Sequence, residues 1–132
     1  MDTIVNFQNE IIEDLKIDQV NILDKQLMLP ALKHKWVARL IQTKQNKNSL
    51  EKKKKELQEN VLKKLESDGI PKGIPKISIK DKVNASDVIK SIDLEIKQSD
   101  LEIEYLEKIE KIFSSMTYDI SNATKLLTME MS

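Results

Sequence analysis

The fold is decided by residues 30–66, which read PALKHKWVARLIQTKQNKNSLEKKKKELQENVLKKLE. Pro30 suits the first turn of a helix, and no glycine or further proline occurs in this stretch. We therefore expect one helix of 37 residues, roughly 55 Å long at 1.5 Å per residue. Its apolar residues fall within one narrow stripe: Leu29, Leu32, Trp36, Leu40, Leu50, Leu57, Val61 and Leu65. The pattern predicts a long helix with a single buried edge.

Polar residues interrupt this stripe at three heptad-like positions, Thr43, Lys47 and Lys54. On such a seam they cost stability, and they fix the register of neighbouring helices or line a pore. The remaining surface of the helix is basic. Lysines occupy the side opposite the stripe and both of its flanks: Lys52 and Lys63 opposite, Lys35, Lys53 and Lys64 on one flank, Lys44 and Lys55 on the other.

Short helices are predicted in the N-terminal residues 1–29. Asp2 or Thr3 can cap a first helix that ends near Leu15, and Asp18 can cap a second segment. The apolar stripe of the first helix consists of Ile4, Phe7, Ile11, Ile12 and Leu15.

After the central helix, residues 67–83 contain a doubled G-I-P-K unit. Its glycines and prolines predict a flexible, extended loop, which four lysines make basic.

Residues 84–131 are predicted to form a long C-terminal assembly helix, or two helices with a break near Ser114, capped by Asn84 or Ser86. One apolar seam consists of Ile89, Ile92, Ile96, Ile103, Leu106 and Phe113, and a second of Leu94, Leu101, Ile109, Ile112, Met116, Ala123 and Leu127. Two apolar faces require two neighbours, which a chain with two substantial helices does not supply. We expect subunit contacts at Ile103, Leu106, Ile109, Ile112, Phe113, Met116, Ile120 and Leu127.

Composition places the chain in the all-α class. It has 132 residues, enough for a single oligomerising domain over residues 1–132, and only two glycines and three prolines. Hydrophobic residues make up 39% and charged residues 33%, so a lone subunit would have a thin core. The chain has no cysteine and no apolar run near the ~20 residues that cross a bilayer. A cytoplasmic protein without membrane contact is the expectation.

The net charge is zero, but charges are strongly separated along the chain. Residues 1–32 carry two lysines against six acids, and residues 83–132 carry five lysines against ten acids. Between them, residues 33–82 carry fourteen lysines and one arginine against six acids. Such asymmetry points to a polyanion partner or to subunits that attract each other. As phosphate-binding residues we select Lys35, Arg39, Lys44, Lys52, Lys53, Lys54, Lys55, Lys63 and Lys64.

Two other interpretations of the lysines remain open. Residues 52–55, KKKK, can be a solvated face paired with Glu51, Glu56 and Glu59 in a structural coiled-coil scaffold. The basic stripe can also bind an acidic protein, as in an adaptor or chaperone. Single-strand binders often stack bases on rings, but Trp36 lies on the apolar stripe and is expected in the core.

Nothing in the sequence supports catalysis, a cofactor or a metal site. His34 is the one histidine and has no obvious second ligand. The acids Glu102, Glu104, Glu107 and Glu110 suit a solvated helix face and lack the histidine partners of carboxylate metal sites in bundles.

Most of the chain resembles the phage UvsY family of recombination mediators. The resemblance rests on a colinear set of residues: Ile17-Asp18, Lys35-Trp36, Arg39, Lys44, Leu50-Glu51 and Lys54-Lys55. It continues through NASDVIKSIDLEI at residues 84–96, where Ala85, Asp87-Val88 and Asp93 match, and more weakly through Ala123 and Lys125.

The resemblance implies a non-enzymatic mediator that acts in the phage-infected host cell. Members form ring-like helical homo-oligomers, heptamers, through their C-terminal helices. They bind single-stranded DNA and help a RecA-like recombinase to displace the single-strand-binding protein. Basic family positions associated with DNA contact correspond here to Glu59 and Val61, and Lys63 and Lys64 can substitute for them one turn on.

Overall fold

The computed structural model describes residues 2–16, 22–67, 69 and 76–131. Four helices are present within these ranges: α1 Asp2–Asp14, α2 Ile22–Ser67, α3 Lys76–Asn84 and α4 Asp87–Met131. The same ranges contain no strand, which confirms the predicted all-α class. None of their helices is long and apolar enough to cross a membrane. The chain divides into two compact units: unit 1 is Met1–Thr43 with Glu102–Ser132, and unit 2 is Lys44–Leu101.

The central helix begins earlier than predicted. α2 runs from Ile22, so Pro30 lies inside it instead of at its first turn. A proline in a helix interior removes one backbone hydrogen bond and costs about 3 kcal/mol. Tertiary contacts surround this turn: Leu29 is buried in the core, and Lys25 Nζ donates to the carbonyl oxygens of Glu13 and Asp14 at 3.1 Å. The predicted cap Asp18 lies outside the described residues.

The prediction that residues 67–83 form a loop was wrong for its second half, because α3 occupies Lys76–Asn84. Residues 70–75, with both prolines of the doubled unit, lie outside the described residues. Gly69 has a φ of 81° and its N–H donates to Glu66 O, which ends α2 in the left-handed conformation that glycine favours. Val83 is buried, so packing on the apolar side of α3 holds the short helix.

α4 is a single helix without a break at Ser114, and its N-cap is Ser86, whose carbonyl accepts the Lys90 N–H at 3.0 Å. The first predicted seam is confirmed as buried or half-buried throughout. The second seam is only partly buried, since Leu94, Leu101 and Ile112 are exposed, as is Ile12 of the predicted α1 stripe.

Unit 1 contains the largest apolar core of the described chain. α1, the first part of α2 and the last part of α4 contribute to it: Ile11, Leu29, Trp36, Leu40, Leu106, Ile109, Phe113, Met116 and Ile120. Trp36 is 1% exposed, and the Phe7 ring meets it edge to face with centroids 5.6 Å apart. The position of Trp36 on the apolar stripe thus correctly predicted a core residue.

Unit 2 pairs its parts of α2 and α4 in antiparallel register. Lys54 Nζ lies 2.7 Å from Asp93 Oδ1, and Lys47 Nζ lies 2.5 Å from Asp100 Oδ1. A step of seven residues back along α2 corresponds to seven residues forward along α4. The two lysines that interrupt the stripe therefore each pair with an aspartate of α4. Within one chain, these pairs are consistent with the register in which the two helices lie side by side.

Candidate nucleic-acid interface

Exposed lysines cover the part of α2 that belongs to unit 2. Of the lysines predicted there as phosphate-binding residues, Lys54 is half-buried and the others are exposed. The exposed ones are Lys44, Lys52, Lys53, Lys55, Lys63 and Lys64. They form three pairs, each separated by eleven residues, so the members of a pair lie on the same side of the helix about 16 Å apart. The result is three basic rows along one helix.

Short α3 adds two more cations to unit 2, because Lys80 and Lys82 are exposed. Neither lysine is among the phosphate-binding residues predicted from the sequence, because the glycines and prolines of this segment predict an irregular loop. The available signal was the excess of lysine in residues 72–82. We define the basic surface of unit 2 as the exposed lysines of α2 and α3: Lys44, Lys52, Lys53, Lys55, Lys63, Lys64, Lys80 and Lys82.

The net charges of the two units are opposite. Residues 44–101 carry fourteen lysines against ten acids, and the rest of the chain carries seven lysines and one arginine against twelve acids. Unit 2 therefore has a net charge of +4 and unit 1 a net charge of −4. A polyanion would be attracted to unit 2.

Lys35 and Arg39, also selected from the sequence, are held within unit 1 by acids of α1. Lys35 Nζ lies 2.6 Å from Asp14 Oδ2 and 2.7 Å from Glu10 Oε2, and Arg39 Nη1 lies 2.6 Å from the same Glu10 oxygen. The Arg39 guanidinium also stacks over Trp36, 4.7 Å from the ring centroid. Both cations are therefore engaged by acids of their own chain.

The protonation of this cluster follows from its contacts. Hydrogen bonds from Arg39 and Lys35 lower the pKa of Glu10 below its usual value. Burial alone would lower the pKa of Lys35, but hydrogen bonds to Asp14 and Glu10 raise it above the ordinary value. Asp14 also accepts the indole N–H of Trp36 at 2.8 Å, so one carboxylate joins the ion pairs to the core.

Two positions of α2 differ from the basic positions of the family that the sequence resembles. Glu59 is exposed on α2, and Val61 is half-buried. Lys63 and Lys64, one turn on, are exposed. A cationic contact in this turn is therefore available from these two lysines.

The residues selected for subunit contacts are mostly buried inside unit 1. Five of them are at most 6% exposed: Leu106, Ile109, Phe113, Met116 and Ile120. Ile103 and Leu127 are half-buried, whereas Ile112 is 45% exposed. Other exposed apolar side chains of unit 1 lie further along α4, among them Leu126 and Met129. Burial in one chain gives the five a packing role there and leaves Ile112 as the accessible member of the set.

Among the described residues, no three histidine, cysteine, aspartate or glutamate side chains are placed to hold a metal ion. His34 is exposed on α2. Glu104 of α4 pairs with Lys108 at 3.3 Å.

Comparison with known proteins gives one family and a set of similar folds. The profile described as "Recombination, repair and ssDNA binding protein UvsY" matches residues 10–131. Crystal structures of the bacteriophage T4 recombination mediator protein UvsY resemble the chain. The lattice type IV structure has a TM-score of 0.81 at 15% identity and covers 96% of this chain and 98% of that one. The lattice type I structure has a TM-score of 0.79 at 16% identity and covers 95% and 98%. No curated protein sequence matches the chain significantly.

Proposed function

This chain belongs to the UvsY family of recombination, repair and single-stranded-DNA-binding proteins, and from that premise we propose that it is a recombination mediator. In this role it binds single-stranded DNA as a homo-oligomer and helps a RecA-like recombinase to replace single-strand-binding protein. The observation that carries the proposal is the basic surface of unit 2, where the exposed lysines of α2 form three rows.

The proposed binding is electrostatic and collective. Each lysine acts as a point charge that releases a condensed counterion when it contacts a phosphate. Contacts of this kind are individually weak. Several copies of unit 2 in one assembly would engage the same strand together, and linked sites bind with an affinity that no single site has. Poor sequence selectivity and strong dependence on salt follow from this mechanism.

Salt titration of the affinity for an oligothymidylate tests the proposal. In a plot of log affinity against log salt, each phosphate contact should contribute about −0.7 to the slope. The triple variant Lys52→Gln/Lys53→Gln/Lys55→Gln should bind more weakly and with a shallower slope. Lys54 stays unchanged because it pairs with Asp93.

A matched control removes three exposed lysines of α4, as Lys90→Gln/Lys97→Gln/Lys111→Gln. The net charge falls equally in both variants, so only a local contact distinguishes them. Equal loss in both would assign the effect to total charge. A slope near zero in the unmodified protein would reject single-strand binding and favour a structural scaffold or an adaptor for an acidic protein.

We place a subunit contact at the exposed apolar side chains of unit 1, with Ile112 as its test residue. A lysine at this position should reduce the mass of the assembly in light scattering, because burying a charge in an apolar contact is unfavourable. Val88→Lys, at an exposed apolar residue of unit 2, is the control. An unchanged mass for Ile112→Lys would move the contact elsewhere.

The loading step is tested with recombinase added to DNA already covered by single-strand-binding protein. The chain should increase the amount of recombinase on the strand, and the α2 triple lysine variant should not. An assembly that binds DNA but leaves recombinase loading unchanged would contradict the mediator role and keep the binding role.

A further inference from the structure

An apolar groove lies within the basic surface of unit 2. It has a volume of about 550 Å³, inside the range of about 300–1,000 Å³ typical of small-molecule sites. The lining residues come from the end of α2 and from α3, and they include Lys55, Glu59, Leu62, Glu66, Ile79, Lys80 and Val83. A hydrogen bond of 2.9 Å from Gln58 Nε2 to Asn84 Oδ1 ties the two helices together at the groove.

The groove combines an apolar lining with a charged rim. Val83 is 5% exposed, Leu62 and Ile79 are half-buried, and Lys55 and Lys80 are exposed. Two lysines and two glutamates give the lining a net charge of zero, although it lies in a net positive unit. The interior of the groove therefore has no excess of positive charge to attract a phosphate, whereas the rest of unit 2 has one.

We infer that the groove receives one unstacked base of a DNA single strand, while Lys55 and Lys80 hold the phosphates on either side. The inference rests on the proposed single-strand binding. A nucleobase is neutral and has apolar faces, which suit Leu62 and Ile79. The carboxylates of Glu59 and Glu66 can accept hydrogen bonds from the N–H groups on its edge.

This site would explain how the chain selects single strands without an exposed ring on its basic helix. Trp36, the ring of that helix, is 1% exposed in the core of unit 1 and cannot stack with a base there. Lysines alone attract duplex and single-stranded DNA alike. A base held in a duplex stack cannot enter a groove, whereas a base of a flexible single strand can.

The test compares an oligothymidylate with an abasic oligodeoxyribonucleotide of the same length and charge. At one salt concentration the full chain should bind the oligothymidylate about three- to tenfold more tightly, since only its bases shelter apolar surface. The variant Leu62→Ala/Ile79→Ala should lose this preference and keep its salt slope, because no phosphate contact has been removed. Leu94→Ala, at a more exposed leucine of unit 2, should keep both.

A second variant gives an effect of opposite sign. Ile79→Trp places a ring on the groove, so the preference for the oligothymidylate should increase by about threefold or more through stacking. Equal binding of both oligonucleotides by the unmodified chain, or an unchanged preference in both groove variants, would overturn the inference and leave the proposed function standing. Absence of binding to either oligonucleotide would instead reject the function.

Discussion

The two parts of α2 use cations in opposite ways. In unit 1, Lys35 and Arg39 lie against Glu10 and Asp14 of α1 and beside the buried Trp36. In unit 2, most lysines of the same helix are exposed, and Lys47 and Lys54, which lie on the stripe, each pair with an aspartate of α4. The neighbouring helix thus decides whether a basic residue takes part in an ion pair of the fold or remains exposed for a ligand.

The strongest test of this contrast removes the Trp36 side chain. Because the indole is fully buried among the core residues of unit 1, Trp36→Ala should lower the free energy of unfolding by about 3–5 kcal/mol. Urea unfolding followed by circular dichroism measures the loss. Ile41→Ala, at a 53% exposed residue of the same helix, should change it by no more than about 0.5 kcal/mol. Similar losses in both would contradict the assignment of Trp36 to the core.

A smaller effect is expected from the acid that joins the ion pairs to that core. Asp14→Ala leaves the buried Trp36 N–H without its acceptor, which should cost about 1–3 kcal/mol. The matched control is Glu13→Ala, since the Glu13 side chain is exposed on the preceding position. The same urea experiment compares them, and equal stabilities would show that the carboxylate of Asp14 is not needed by the indole.

In unit 2, a double-mutant cycle measures the pair between Lys54 and Asp93. Their side chains are 30% and 38% exposed, so we expect a coupling of only about 0.2–1 kcal/mol. The two single alanine variants and the double variant are compared by urea unfolding. A cycle between Lys53, which is exposed, and Asp93 should give a coupling near zero. If both cycles agree, Lys54 belongs with the available lysines of the basic surface.

The smallest expected effect is a dependence on acid pH in unit 1. Because the pKa of Glu10 is lowered, its carboxylate stabilises the fold above its ordinary pKa of 4.5, and this stabilisation is lost as the pH falls through the lowered value. The side chain is 40% exposed, so the contribution should stay below about 1 kcal/mol. Thermal unfolding at a series of pH values should show a shallower acid decline in Glu10→Gln. An identical decline would exclude Glu10 as its source.

Candidate site residues were predictable in part. The charge count along the chain identifies residues 33–82 as its basic segment, and helical periodicity placed Lys52, Lys53, Lys63 and Lys64 away from the stripe, where they are exposed. Lys35 lay on the same flank as Lys53 in that periodicity, but the acids of α1 occupy it. Sequence spacing describes one helix at a time, so it could not distinguish these two lysines.

The sequence by itself determined the helical class, the buried stripe of α2 and the first seam of α4. All three follow from periodicity, which is a local property of the backbone. Tertiary structure decided which cations remain available, whether a helix continues through Pro30, and that α3 forms beside α2. The physical reason is that ion pairs and apolar burial join residues far apart in the chain, such as Glu10 with Arg39 and Gln58 with Asn84, and their energies override local preference.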